Sequence, residues 1–133
     1  MTRHKLKYLL WSAIVSLFLA SCMKWDYGDA VEEFNASGAG LFITNEGNFQ
    51  YGNATLSYYD PATKTVQNEI FFRANGMKLG DVAQSMCIHD NKGWVVVNNS
   101  HVIFAIDLNT FKEVGRIENL TSPRYIHFLS DEK

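Results

Sequence analysis

The sequence predicts an all-β protein in which a signal peptide precedes about two blades of a β-propeller. From Gly40 onwards, runs of strand length alternate with turn signals, and no useful helical period follows the signal peptide. The pattern also repeats, because Asp107 follows Asp60 by 47 residues, within the roughly 40–50 residues of a four-stranded blade. An aromatic content of 14% with 20% charged residues of both signs is typical of a packed chain.

Residues 1–21 are predicted to be a signal peptide. Three basic residues within positions 1–7 precede an apolar run over residues 8–20, which is shorter than the ~20 residues of a membrane span. The run ends in "LASC", which resembles the bacterial lipobox. That resemblance implies that Cys22 is acylated and becomes the first residue of the mature chain. The alternative is an ordinary signal peptide followed by a chance cysteine.

Residues 22–39 carry four acidic residues without an apolar period and are predicted to be a tether. Without residues 1–21 the chain keeps 9 basic and 14 acidic residues, a formal charge of −5. This balance argues against a nucleic-acid partner, which requires a basic patch. Asp26 and Asp29 resemble the acidic residues that accompany export to the outer face of the outer membrane in gut Bacteroidetes. The resemblance implies a lipid-anchored protein exposed at the cell surface.

Residues 40–133 are predicted to form the partial propeller. The first series of strands covers residues 40–45, 54–60 and 65–72. The second series covers residues 83–89, 93–98, 101–107 and 113–117, and a last apolar run covers residues 124–129. The two series superpose at five pairs: Gly40 on Gly93, Asn45 on Asn98, Asp60 on Asp107, Thr63 on Thr110 and Ile70 on Ile117.

The strand order predicts an incomplete ring. With blade strands labelled A to D from the axis outwards, the chain reads B, C, D, then A, B, C, D, then A. The first blade thus lacks its inner strand, and residues 124–129 are left with an unpaired sheet face. A four-bladed ring needs roughly 170 residues, and 112 remain after the signal peptide. We therefore expect an N-terminal fragment of a larger propeller.

Several motifs resemble a known family. "YDPATKTVQNEI" and "AIDLNTFKEVGRI" look like the YVTN-type repeat of surface propellers. The series "LGDVAQSM", "VVNNS" and "SPRYI" resembles the Bacteroides surface propeller lipoproteins that capture cobalamin and pass it to a TonB-dependent outer-membrane transporter. The resemblance covers residues 40–133 and implies about a quarter of a seven-bladed ring. It implies cobalamin as ligand, that transporter as partner, and no catalytic role or resident cofactor.

The candidate ligand site lies on the longer loops. In such a blade the B–C loops (residues 45–53 and 98–101) and the D–A loops (residues 73–85 and 118–124) emerge on one face. A corrinoid is a flat macrocycle fringed by amides, with one phosphate in its nucleotide loop, so amide and aromatic side chains suit it. The candidate ligand-binding residues are Phe49, Tyr51, Gln84, Asn98, Asn99, His101, Arg124 and Tyr125. The alternative for "NNS" is plain turn chemistry.

The sequence gives little support to the hypothesis of a catalytic or metal-binding function. It contains no G-x-S-x-G, no dinucleotide loop and no Cys/His spacing of a zinc site. His89 and His101 are predicted to be surface or strand residues, and Cys87 a buried free thiol. Two further hypotheses stay open: a propeller lipoprotein that binds another ligand or a protein partner, and, more remotely, a propeller enzyme.

Overall fold

The computed structural model of the protein describes residues 39–129. The predicted signal peptide, Cys22 and all but the last residue of the tether lie outside the described residues. The described part contains seven strands and one short helix: β1 Leu41–Asn45, β2 Thr55–Asp60, β3 Thr65–Gln67, α1 Ile70–Asn75, β4 Ala83–His89, β5 Lys92–Val97, β6 Val102–Asp107 and β7 Glu113–Ile117. The predicted all-β class is confirmed. No helix among the described residues is long and apolar enough to cross a membrane.

Strands β4, β5, β6 and β7 form one antiparallel sheet, called sheet 2, in chain order. All four strands were predicted from the sequence, and their positions are confirmed to within a residue at each end. The centre of the sheet is β-branched, and the side chains of Val95, Val96 and Val97 are fully buried. Such a run suits a strand that is covered on both faces.

Strands β1, β2 and β3 form a second antiparallel sheet, called sheet 1. The prediction of a strand over residues 65–72 is wrong in its second half, because β3 ends at Gln67 and α1 begins at Ile70. Glu69 takes a left-handed backbone conformation (φ 55°) that turns the chain out of the strand. The helix buries Phe71, whose ring lies 4.9 Å from that of Phe104 in sheet 2. Tertiary packing therefore determines that this segment is helical.

The helix also overturns one of the predicted superpositions. Ile70 lies at the start of α1, whereas Ile117 ends strand β7, so the two residues are not equivalent.

Equivalent turns follow β2 and β6. Asp60 Oδ1 accepts hydrogen bonds from the N–H groups of Ala62 (2.8 Å) and Thr63 (3.5 Å). Asp107 Oδ1 accepts the N–H of Thr110 at 2.8 Å in the same way. These Asx-type turns support the superposition of the two aspartates and of the two threonines. The Thr110 N–H is the main reason why the pKa of Asp107 lies below its ordinary value.

The pairing of β1 with β2 shows that the predicted superposition of β1 on β5 is wrong by one residue. Phe42 lies opposite Tyr58, and Trp94 lies opposite Ala105. Because Tyr58 and Ala105 are 47 residues apart, as the two aspartates are, Phe42 is the equivalent of Trp94. A slip of one residue moves every side chain to the other face of a sheet. The superpositions of Gly40 on Gly93 and of Asn45 on Asn98 are therefore wrong by one position.

The hydrophobic core lies between facing surfaces of the two sheets. It includes Leu56 and Tyr58 from β2, and Val95 and Ile106 from sheet 2. Phe111 follows β6 and is fully buried. Its ring packs against those of Phe42 and Tyr58, with ring centroids 5.7 Å and 5.6 Å apart. One face of each sheet thus packs against the other sheet.

Residues 124–129, predicted to be a strand, have no regular secondary structure. Arg124 O accepts a hydrogen bond from Ser85 Oγ (2.7 Å), and the ring of Phe128 stacks on that of His89 at 3.9 Å. The segment therefore runs beside β4 in the same direction, next to the face of sheet 2 that carries Trp94. Within the described residues no strand pairs with it, and an extended segment needs such a partner to become a strand.

Candidate functional site

Four loops lie at one end of the two sheets, which we call the loop end. They comprise residues 46–53, 76–82, 98–101 and 118–123, whereas the opposite turn end carries residues 61–64, 90–91 and 108–112. The turn at residues 98–101 stands at the centre, closed by a hydrogen bond from the His101 N–H to Asn98 O at 3.2 Å. Each of the four side chains in this turn bonds a neighbouring loop.

Two of these side chains hold the loop that follows β7. Asn98 Nδ2 donates to Pro123 O at 2.8 Å. His101 Nδ1 accepts the N–H of Ser122 at 3.2 Å, and the backbone oxygen of His101 accepts the N–H of Leu120 at 3.1 Å. These bonds fix the chain immediately before Arg124 and Tyr125.

The other two side chains hold the loop before β4 through Asp81. This residue is only 7% exposed. Asp81 Oδ2 accepts hydrogen bonds from Asn99 Nδ2 (2.6 Å) and from the N–H of Gln50 (2.7 Å), while Ser100 Oγ accepts the N–H of Asp81 at 2.9 Å. Asp81 therefore joins three loops. Its Oδ1 is buried without a hydrogen-bond partner among the described residues.

The backbone around Asp81 is tightly constrained. Gly80 has φ 125°, and a Cβ at this position would lie 2.4 Å from Ser100 Oγ, so the close approach of the two loops requires glycine. Val82 has φ 62°, which is unusual for a β-branched residue. Strain of this kind persists only where the surroundings impose it. The hydrogen bonds to Asp81 supply that constraint.

Exposed aromatic side chains stand on or directly after loops that are hydrogen-bonded to this centre. Phe49, Tyr51 and Tyr125 are 62%, 74% and 72% exposed. The first two stand on the loop that the Gln50 N–H fastens to Asp81, and Tyr125 follows the loop fastened to His101 and Asn98. The loop end thus combines flat apolar surface with amide and cationic groups.

The predicted candidate residues divide into two sets. Asn98, Asn99 and His101 use at least one polar atom each to hold the loops. Gln84 is half-buried, and its Nε2 lies 3.5 Å from Glu46 Oε1. Phe49, Tyr51, Arg124 and Tyr125 are exposed on the same end. All eight residues belong to the loop end or to positions that directly adjoin its loops.

Asp81 is the residue that the sequence reasoning missed. In the sequence it is a single acidic residue between Gly80 and Val82, within a predicted loop. Acidic residues are common in exposed loops, so nothing in the sequence marked it as buried. Only the tertiary structure shows that this carboxylate is buried and bonded to two other loops.

Cys87 and the histidines show no metal-binding arrangement. Among residues 39–129 no group of three or more His, Cys, Asp or Glu side chains could hold a metal ion. Cys87 is half-buried and not fully buried as predicted. His89 lies 3.3 Å from Asp90 and stacks on Phe128.

A protein-family model described as a domain of unknown function (DUF5074) matches residues 39–132. The match covers all of the described residues and more than half of the chain. No curated protein matches the sequence.

Proposed function

Since the chain belongs to the DUF5074 family, whose function is unknown, we propose from its own residues that it is a surface lipoprotein of the outer membrane. In this proposal it binds cobalamin and delivers it, without catalysis, to a TonB-dependent transporter. One observation carries the proposal: the loop end combines exposed aromatic and cationic side chains with half-buried amides beside a hydrogen-bonded centre.

The two sheets are interpreted as propeller blades. Sheet 2 is a four-stranded antiparallel meander in chain order, as a blade requires. Sheet 1 packs face to face on it, and the Asx turns after Asp60 and Asp107 repeat at the blade spacing. Residues 124–129 run beside β4 in the same direction, as successive inner strands of a propeller do. Together these features support a propeller of which the chain supplies about two blades.

The ligand chemistry matches the exposed side chains of the loop end. A corrinoid offers a flat apolar macrocycle, a fringe of amides and one phosphate. Phe49, Tyr51 and Tyr125 provide flat surfaces with little rotamer freedom to lose. Gln84 can pair with an amide in either sense, and Arg124 carries the guanidinium that suits a phosphate.

Asn98, Asn99 and His101 act mainly by holding the loops. Their bonds to Pro123, Asp81 and Ser122 fix the aromatic-bearing segments before a ligand arrives. Loops that are already ordered lose less conformational entropy on binding, and this raises affinity. Acylation of Cys22 would hold the protein at the membrane, where a transporter could accept the ligand.

Calorimetric titration of cyanocobalamin into the protein tests the proposal. Tyr51→Ala and Arg124→Ala should each weaken binding by about 1–3 kcal/mol, because each removes a contact to the ligand. Asn109→Ala, in an exposed turn at the other end of the sheets, is the matched control and should bind like the parent. Equal affinities for the parent and both loop-end variants, with weakened binding by Asn109→Ala, would place the site at the turn end instead.

A second candidate function is a propeller lipoprotein that binds another ligand or a protein. The observation that favours it is the same set of exposed aromatic rings, since tyrosine and phenylalanine are also enriched at protein interfaces. Absence of any heat or shift with cyanocobalamin would select this alternative.

A further inference from the structure

Asn75 is the last residue of α1, and its side-chain amide joins the helix to the end of β6 and the start of β7. Its Nδ2 donates hydrogen bonds to Phe71 O at 2.8 Å and to Phe111 O at 3.1 Å. Its Oδ1 accepts the N–H of Glu113, the first residue of β7, at 2.8 Å. The side chain thus uses two donors and one acceptor at once. A primary amide offers this combination, and a carboxylate does not.

The end of the helix favours glycine at the next position. Gly76 caps α1 in the left-handed conformation (φ 67°), and its N–H donates to Phe72 O at 2.8 Å. Glycine adopts this conformation without strain, whereas residues with a Cβ rarely do. The fold therefore sets an asparagine that must keep its amide directly before a glycine. This is the one Asn-Gly pair in the sequence.

An Asn-Gly pair is prone to deamidation, because glycine leaves the backbone nitrogen unhindered and the backbone free to turn. In this reaction the Gly76 nitrogen forms a bond to Asn75 Cγ as the bond from Cγ to Nδ2 breaks. Ammonia leaves with the proton of the Gly76 N–H, and a five-membered succinimide remains. Water then opens the ring at either carbonyl carbon and yields an aspartyl or isoaspartyl residue. The net reaction converts an amide and water to a carboxylic acid and ammonia.

We propose that Asn75 is a deamidation site that becomes reactive when α1 opens and that, once modified, no longer holds α1 in place. In the folded chain both reacting groups are bound: the side-chain amide has three backbone partners, and the attacking nitrogen of Gly76 is bonded to Phe72 O. A helix of six residues is too short to persist without its packing. Local opening of α1 therefore releases both groups together.

The modified side chain does not suit the same position. A carboxylate has no donor, so an oxygen in the place of Nδ2 would face two carbonyl oxygens, those of Phe71 and Phe111. Negative charge at hydrogen-bond distance from carbonyl oxygens is repelled, and both bonds would be lost. Residues 76–82, the loop of the loop end that carries Asp81, start directly after α1. Deamidation would therefore release the start of that loop from sheet 2.

This inference goes beyond the proposed function, since it depends on one side chain and on no ligand. The first test follows deamidation of the full chain at mildly alkaline pH by peptide mass spectrometry, in buffer and in urea. We expect Asn75 to be the first asparagine modified in urea and to react at least about tenfold more slowly in buffer. Gly76→Ala is the control and should suppress the reaction in urea. Equal rates in buffer and in urea, or no reaction of Asn75 in urea, would overturn the proposal.

The second test measures what the product does to the fold. Asn75→Asp has the side chain of the product, and Asn91→Asp, in the exposed turn between β4 and β5, is the matched control with the same change of charge. In urea unfolding, Asn75→Asp should reduce the ratio of folded to unfolded chain at least about tenfold. Asn91→Asp should change that ratio by less than about threefold. Equal stability of the two variants would show that the position accepts a carboxylate, against the proposal.

Discussion

Replacing Asp81 by alanine tests whether the loop end is held together as described. Asp81 is 7% exposed and accepts two hydrogen bonds, at 2.6 Å from Asn99 and at 2.7 Å from Gln50. Hydrogen bonds to a charged group contribute about 1.5–3 kcal/mol each, and the donors left behind are partly buried. Since the loop of Gln50 can regain water, we expect Asp81→Ala to lower the free energy of unfolding by about 2–4 kcal/mol. Urea unfolding followed by tryptophan fluorescence measures the loss.

Two further variants give this prediction its controls. Asp81→Asn keeps one acceptor oxygen and should recover part of the lost stability. Glu46→Ala removes an exposed carboxylate at the same end and should change stability by less than about 0.5 kcal/mol. If Asp81→Ala is no more destabilising than Glu46→Ala, then Asp81 does not join the loops.

Phe111→Ala should lower the free energy of unfolding by about 3–5 kcal/mol, because it opens a cavity in the fully buried aromatic cluster between the sheets; a loss below about 1 kcal/mol would contradict that packing. The Thr110 N–H holds the pKa of Asp107 below its ordinary value of 3.8, so this carboxylate stabilises the fold above that pH and the contribution is lost as the pH falls through its folded pKa. Asp107→Asn should therefore show a smaller loss of stability in acid than the parent, and an identical loss would refute the assignment. Cys22→Ala should abolish labelling by a fatty-acid analogue and release the chain from membranes, and retention of both would show that the lipobox interpretation is wrong.

The sequence predicted sheet 2 well because its signals are local. β-Branched runs end at turns with Asp, Asn and Gly, and these determine where each strand begins and ends. The Asx turns after Asp60 and Asp107 were predictable for the same reason. The hydrogen bonds that close these turns join residues two or three positions apart, so short-range chemistry determines them.

The errors all depend on contacts between distant residues. Residues 70–72 were predicted to be part of a strand but belong to a helix, because Phe71 packs on Phe104 and Glu69 turns the chain. The one-residue error in placing β1 arose because aligned letters carry no information on which strand positions pair.

At the candidate site, sequence patterns identified the loops and their aromatic residues. The carboxylate that joins the loops could not be predicted, since its burial depends on two loops distant in sequence.

Backbone amide chemical shifts of the isotopically labelled protein, mapped while cyanocobalamin is added, test directly whether the loop end binds a corrinoid. We expect shifts concentrated at residues 46–53, 98–101 and 124–125, with little change at residues 61–64 and 108–112. Shifts confined to the turn end, or no shifts at saturating cyanocobalamin, would contradict the claim that the loop end is a corrinoid site.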